Sequence, residues 1–265
     1  MHPKPEHFRA LYAEAFKDQQ VVESYRYRPP YPDEVFAILE TLIEDTPRIV
    51  LDVGTGSGDI ARSLVNVVER IDAVDCSQPM IEQGRRLPNG DHPHVHWIFG
   101  KVEEVPLAPP YALITAGSSI HWTEWEVAFP RFCSLLTRNG SLALVYRNIF
   151  PMPWDAEFRE LRARFSTRQD HERSHVVTEL EARSFLHKRG ERKITPVPFL
   201  QPIDDFIAGL HARSGFSRQR MGEQQAEDFD RQVKSLLLAY HSDGILPMQS
   251  VATVTWGIPD RGPTG

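Results

Sequence analysis

Apolar positions along the chain alternate between two periodicities. Short apolar runs at 48–53, 71–75, 94–99, 111–116 and 141–147 predict strands, and the segments near 58–69, 77–87 and 124–137 between them carry helical spacing. Ahead of the first run, Phe8, Leu11, Tyr12, Ala15 and Phe16, then Val35, Leu39, Leu42 and Ile43, predict two amphipathic helices. Strands alternating with helices in this way demand a mostly parallel, doubly wound α/β sheet with helices on both faces. Pro151 and Pro153 then break the pattern, and the arginine-rich segment that follows predicts a helical cap inserted after the fifth strand. Residues 193–201 and 249–257 read as two further strands, which makes seven, with helices near 203–213 and 223–242. The expected division is therefore 1–46 for the N-terminal helices, 47–148 for the core, 149–192 for the cap, 193–258 for the rest of the core and 259–265 for a flexible tail.

The first strand runs into Val50-Leu-Asp52-Val-Gly54-Thr55-Gly56-Ser-Gly58-Asp59-Ile60. Glycine carries no Cβ and tolerates positive φ, so such a loop lets backbone approach a ligand closely. The spacing is G-x-G-x-G; the dinucleotide fingerprint needs glycine where Asp59 stands, which disfavours NAD. Roughly twenty residues later the second strand ends at Asp75, where a doubly wound sheet brings a carboxylate beside the glycines to accept both hydroxyls of a ribose. The alternative is that Asp75 caps the helix beginning at Ser77.

Composition narrows the class. A chain of 265 residues with 41% hydrophobic positions can bury a full α/β core, and two cysteines support neither a disulfide framework nor a thiolate zinc site. There is no apolar run of about eighteen residues and no apolar signal core at the start, so a cytoplasmic protein without membrane partners is expected. A net charge of −6 argues against a nucleic-acid footprint.

At this point the chain resembles the class I S-adenosylmethionine-dependent methyltransferases with a Rossmann-like sheet, and among them the small-molecule "type 11" group and relatives of trans-aconitate methyltransferase. The resemblance rests on Asp52 to Gly58, on Val74-Asp75-Cys76-Ser77-Gln-Pro-Met80-Ile81, on Gly100-Lys101-Val102-Glu103-Glu-Val-Pro-Leu107, and on Leu113 to Trp122. It continues through Leu135 to Val145, read as helix, glycine turn and fifth strand. It implies S-adenosyl-L-methionine as cofactor, held by Asp52, Gly54, Thr55, Gly56, Asp75, Cys76, Met80, Lys101, Val102, Glu103, Ala116 and Trp122, with Tyr25 and Arg28 from an N-terminal element over the pocket. Two positions depart from the pattern. Lys101 stands where many members place an acidic residue toward the adenine amino group, leaving the backbone of Lys101 and Val102 to read that edge, and Ala112 replaces an aspartate that often opens the fourth strand.

His121 and Trp122 follow the fourth strand, on the rim where cofactor and acceptor meet. His121 is the candidate base for a hydroxyl or amine acceptor; a carboxylate acceptor needs none. In the cap, Trp154, Phe158, Phe165, Phe185, Phe206 and Phe216 offer apolar walls, while Arg159, Arg162, Arg164, Arg168 and Arg173 offer partners for an anion. The expectation is methyl transfer to an oxygen of a small, carboxylate-bearing molecule. The alternative is a noncatalytic cofactor-binding or interaction protein that keeps the fold.

Overall fold

The computed structural model describes residues 18–167, 176–213 and 215–262, and the chain divides into two compact units. The first takes its residues from Met1–Pro30, Asn148–Glu172 and Pro196–Val251; the second from Tyr31–Arg147, Arg173–Thr195 and Ala252–Gly265. The helix expected over Phe8 to Phe16 lies outside the described residues.

The second unit is built on a sheet in the order β3-β2-β1-β4-β5-β8-β6. The strands are β1 (Ile49–Val53), β2 (Arg70–Asp75), β3 (Val95–Phe99), β4 (Tyr111–Gly117), β5 (Leu136–Ile149), β6 (Leu186–Lys193) and β8 (Ile245–Pro259), of which β5 as far as Arg147 and β8 from Ala252 belong to this unit. The first five pair in parallel, and β6 runs antiparallel to β8. From β1 the chain moves outward to β2 and β3, then returns to lay β4 on the other side of β1. That reversal makes the β1/β4 boundary a switch point, and ligands bind outside the carboxyl ends of strands there. On one face Val50, Ile71, Leu113, Ala143 and Val145 pack with Val35 and Leu39 of α2 (Asp33–Thr41) and Ala61 and Leu64 of α3 (Ala61–Leu64). Helix α4 (Gln78–Arg86) follows β2, and α5 (Trp125–Leu135) follows β4, burying Trp125, Ala128, Phe129 and Phe132.

The mostly parallel α/β sheet flanked by helices is as expected; several boundaries are not. The helix expected over 58–69 shrinks to the four residues of α3, because Gly54, Gly56 and Gly58 all hold positive φ and three valines at 65, 67 and 68 oppose its extension. β5 begins at Leu136 rather than 141: Thr137 to Gly140, read as a turn, are extended, and the extra residues appear as a register shift opposite Tyr111 and Leu113. Residues 186–192, expected within the helical cap, form β6 together with Lys193. Its string of charged side chains hid the strand, yet such charges suit an edge. The tail expected from 259 instead starts inside structure: Pro259 closes β8, and the Asp260 N–H donates to the Phe185 carbonyl at 2.7 Å.

The first unit holds α1 (Gln19–Ser24), a 3-10 turn at Tyr25–Tyr27, α6 (Asp155–Phe165), α8 (Ile203–Leu210), α9 (Arg218–Met221) and α10 (Glu223–Tyr240). The strand expected at 193–201 is β7 (Val197–Pro202), which pairs antiparallel with Ile245–Ser250 of β8; the strand beyond the seven expected is β6. Trp154, Phe158, Phe165, Phe206, Phe216 and Phe229 are the buried core of this unit, so the aromatic residues expected to wall the acceptor mainly hold the fold together. Phe185 belongs to the second unit, where its ring stands 5.2 Å from that of Phe129. The remaining helix, α7 (Val176–Ala182), precedes β6. Among the described residues no helix is long and apolar enough to cross a membrane.

One packing contact fixes the base of the glycine loop. The Trp97 indole is wedged between Gly58 and Gly84: a Cβ at either would lie 2.5 or 2.4 Å from the ring, and its Nε1 donates to the Gly90 carbonyl at 2.8 Å. Gly58 is thus a space for Trp97 rather than part of the ligand cradle. Gly84 sits inside α4, where alanine ordinarily stabilises by about 1 kcal/mol. Here the clash with Trp97 and with the Ser57 carbonyl at 2.8 Å reverses the sign. Gly84→Ala is expected to destabilise by about 1–3 kcal/mol in urea unfolding, as overpacked cores do. A variant as stable as the parent would mean that the ring is not held as described.

Candidate active site

The glycine loop is tied to β2 at both ends of its first turn. The Thr55 N–H donates to the Val74 carbonyl at 2.9 Å, and the Gly56 N–H donates to Asp75 Oδ2 at 2.7 Å. Asp75 Oδ1 accepts the Ser77 N–H at 2.8 Å, so the same carboxylate orders the loop and opens the α4 turn, where Ser77 Oγ caps the Met80 N–H. The Ser77 contact is the helix-opening use that the sequence offered as the alternative for Asp75. A carboxylate has about four lone-pair directions, which leaves acceptor capacity for ribose hydroxyls. Burial pushes the Asp75 pKa up, against the lowering by the Gly56, Ser77 and Cys76 amides.

Asp52 lies beneath the loop, 2% exposed. Thr55 Oγ1 donates to its Oδ2 at 2.5 Å and Thr115 Oγ1 to its Oδ1 at 2.7 Å. Burial raises its pKa to about 6, the two hydroxyls oppose the rise, and the nearby charges of Asp75 and Asp59 add to it.

The segment after β4 is seated on the loop. Ser119 Oγ donates to the Val53 carbonyl, and a Cβ on Gly54 would lie 2.5 Å from the Ser119 Cβ. Gly54, with φ +62°, is required both for its conformation and for that approach. The Ser118 N–H donates to the Val145 carbonyl, and the Trp122 N–H to that of Ser119. His121 and Trp122 are half-buried with ring centres 4.3 Å apart. Asp52, Gly54, Thr55, Gly56, Asp75, Ala116, His121 and Trp122 thus come from strand ends and loops at one edge of the sheet.

Other expected residues stand differently. Met80 is buried in the first turn of α4. Lys101 is exposed, 3.7 Å from the Glu104 carboxylate, and its carbonyl already accepts the Glu104 and Val105 N–H groups. Val102 is buried, while the Glu103 carboxylate accepts the Glu124 N–H at 2.6 Å ahead of α5, a structural use. Tyr25 and Arg28 belong to the first unit, with the Arg28 guanidinium 5.2 Å from the Tyr25 ring centre.

A network beside the glycine loop escaped the sequence reading. Asp59 pairs with Arg147 at 2.9 Å and Arg62 at 3.1 Å, and the Arg147 guanidinium lies 4.3 Å from the Tyr31 ring centre. The available signal was a cation at the carboxyl end of β5, which the sheet order carries toward the acid that follows the last glycine.

Comparisons with known proteins bear on the segment that carries this edge. Residues 50–140, from β1 into β5, match the family model described as a methyltransferase domain. A Dictyostelium discoideum protein named as a methyltransferase is 24% identical over 205 residues, covering 74% of this chain and 76% of that one. The malonyl-[acyl-carrier protein] O-methyltransferase of Halalkalibacterium halodurans is 34% identical over 87 residues, 31% of this chain and 32% of that one. A structure described as a type II methyltransferase from Anaeromyxobacter dehalogenans has a TM-score of 0.68 at 22% identity, covering 89% of this chain and 99% of that one. Residues 50–140 thus match a methyltransferase domain, and the sheet that holds them has the fold of enzymes whose cofactor is S-adenosylmethionine. The residues fit that group: glycine amides for close backbone approach, and in Asp75 a buried carboxylate with acceptor capacity for a ribose.

Proposed function

We propose that the protein transfers a methyl group from S-adenosylmethionine to an oxygen of a small molecule, a carboxylate in our reading. The observation that supports it is the seating of the His121 segment on Gly54 through Ser119, which ties the glycine loop to the segment after β4. In this reading Asp75 holds the ribose, Gly54, Thr55 and Gly56 line the approach, and Asp52, Cys76 and Met80 support the loop from beneath. The backbone at Lys101 and Val102 reads the adenine edge, with Glu103 bracing that segment; Ala116 and Trp122 line the rim, and Tyr25 and Arg28 serve carboxylate groups. S-adenosylmethionine, when bound, would supply a methyl carbon on a positively charged sulfur, an electrophile already activated. The chain's residues need then only align the partners and exclude water. The resemblance to trans-aconitate methyltransferase relatives supports a carboxylate acceptor, and the name of the Halalkalibacterium protein supports oxygen. A panel of small carboxylic acids incubated with S-adenosylmethionine should give S-adenosylhomocysteine and a base-labile methyl ester; turnover with amines or thiols alone would overturn the oxygen assignment.

His121 separates acceptor classes. A carboxylate is already ionised at neutral pH and needs no base, so His121→Asn is expected to leave the shape of the kcat–pH profile unchanged and to lower kcat less than about tenfold. A base contributes about 10²–10⁴-fold, so a loss of that size, with the rise of kcat through the imidazole range flattened, would make the acceptor a hydroxyl or amine.

A further inference from the structure

The first half of the glycine loop is held by β2, through Val74 and Asp75; the second half is held by ion pairs. Asp59 follows the last glycine and divides its carboxylate between two arginines: Oδ2 accepts from Arg147 at 2.9 Å and Oδ1 from Arg62 at 3.1 Å. Arg62 also donates through Nε to the Ser57 carbonyl at 2.9 Å and through a terminal nitrogen to the Pro88 carbonyl at 3.0 Å. Its own carbonyl accepts Asn89 Nδ2 at 3.0 Å. Arg147 is the last residue of β5 in the second unit, its guanidinium 4.3 Å from the Tyr31 ring centre. Next along the chain, Ile60 reaches the bare backbone at the end of β4, where a Cβ on Gly117 would lie 2.9 Å from Ile60 Cδ1. Asp59 is therefore the point at which the loop is joined to β5 and to the connection between α4 and β3, all within one unit.

These ion pairs are suited to setting geometry more than to holding the fold. The side chain of Arg147 is only 5% exposed and that of Asp59 30%. A largely buried pair repays its desolvation at best in part, so apolar side chains of similar size would serve stability as well. What the pair supplies, and an apolar contact does not, is direction: guanidinium nitrogens fix the carboxylate, and through it the backbone on either side. The loop has need of that, because Gly54, Gly56 and Gly58 hold positive φ and bring no side chains of their own to anchor it. Nε and both terminal nitrogens of Arg62 already have partners, so Arg62 acts on a ligand only through the loop.

We propose that Asp59 is a positioning residue for S-adenosylmethionine: bridged to Arg62 and Arg147, it keeps Ser57 to Ile60 in the one conformation that the cofactor meets. That role rests on the reading of the glycine loop as the cofactor cradle. Apparent affinity falls with the share of molecules in the competent conformation, so a tenfold loss requires that share to drop to about a tenth. Asp59→Asn strands the Arg147 charge, and is expected both to lower the urea midpoint and to raise the Kd of S-adenosylhomocysteine at least about tenfold. Pairing it with Arg147→Met removes both charges. The double variant should regain most of the urea midpoint yet bind no more tightly than Asp59→Asn, because stability returns and direction does not. Hydrogen exchange at the Gly58 amide, which donates to the Thr55 carbonyl at 2.9 Å, should stay faster than in the parent. If Asp59→Asn fails to fold, the double variant carries the titration alone. A double variant that binds S-adenosylhomocysteine within about twofold of the parent would overturn the role and leave the ion pairs to the fold. A loss that multiplies on adding Arg147→Met would overturn it too, since the two side chains would then meet the ligand independently. Failure of the parent to bind S-adenosylhomocysteine at all would strike the cradle reading itself, a different result from any of these.

Discussion

Asp75→Ala is expected to weaken S-adenosylmethionine binding tenfold or more and, at the same time, to loosen the glycine loop. Hydrogen bonds to a charged group contribute about 1.5–3 kcal/mol, and about 1.4 kcal/mol is a factor of ten, so losing a single ribose contact suffices for the binding effect. The loop effect follows from the second use of the carboxylate. It accepts the Gly56 and Ser77 amides at 2.7 and 2.8 Å in a position only 9% exposed, and alanine would leave both donors short of a partner. Each buried unsatisfied donor costs about 1–3 kcal/mol. Asp75→Asn keeps one carbonyl oxygen and should spare part of the loop while still losing charge-assisted binding. Calorimetric titration with S-adenosylmethionine and S-adenosylhomocysteine, paired with hydrogen exchange at the Gly56 amide, reads the two effects separately. Parental affinity in the alanine variant would remove Asp75 from the ribose site; parental exchange at Gly56 would remove it from the loop.

The parts of this site that sequence revealed are those whose chemistry is local. A strand, alternate glycines and an acid at the end of the next strand are neighbours along the chain, so their spacing carries their geometry. Gly58 shows the limit: it looks like a third cradle glycine, but its partner is the Trp97 ring, brought from β3 by sheet order. Arg147 is invisible for the same reason, since only the completed sheet sets a β5 side chain beside Asp59. β6 failed differently. An edge strand paired on one side can be almost wholly charged, and charge in a row reads as a solvated helix face. The aromatic residues after β5 were legible as apolar and illegible as core, because burial in a second hydrophobic centre depends on β7 and the first half of β8, whose pairing has no local signal.

The other large effect concerns Asp52. Its pKa rises from 3.8 to about 6, with burial as the main cause. Between those two values the folded protein keeps a proton that the unfolded chain has released, so this group lowers stability as pH rises through the window and exerts its full cost above about 6. At about 1.4 kcal/mol per pKa unit, the cost is on the order of 3 kcal/mol. Asparagine removes the charge and keeps the shape, and the Thr55 and Thr115 hydroxyls can each turn to donate to its oxygen or accept from its nitrogen. Asp52→Asn is therefore expected to be more stable than the parent at pH 8 by up to about 3 kcal/mol, with the gain shrinking toward zero near pH 4. The same change should weaken cofactor binding in the proposed site, where S-adenosylmethionine would bring a sulfonium and an amine toward a carboxylate kept ionised at such a cost. Urea unfolding of both proteins across pH 4 to 8, beside titration with S-adenosylmethionine at pH 8, gives both readouts. Lower stability of the variant at pH 8 would mean that the two threonine bonds outweigh the buried charge and that Asp52 serves the fold; unchanged cofactor affinity would mean that its charge does not face the ligand.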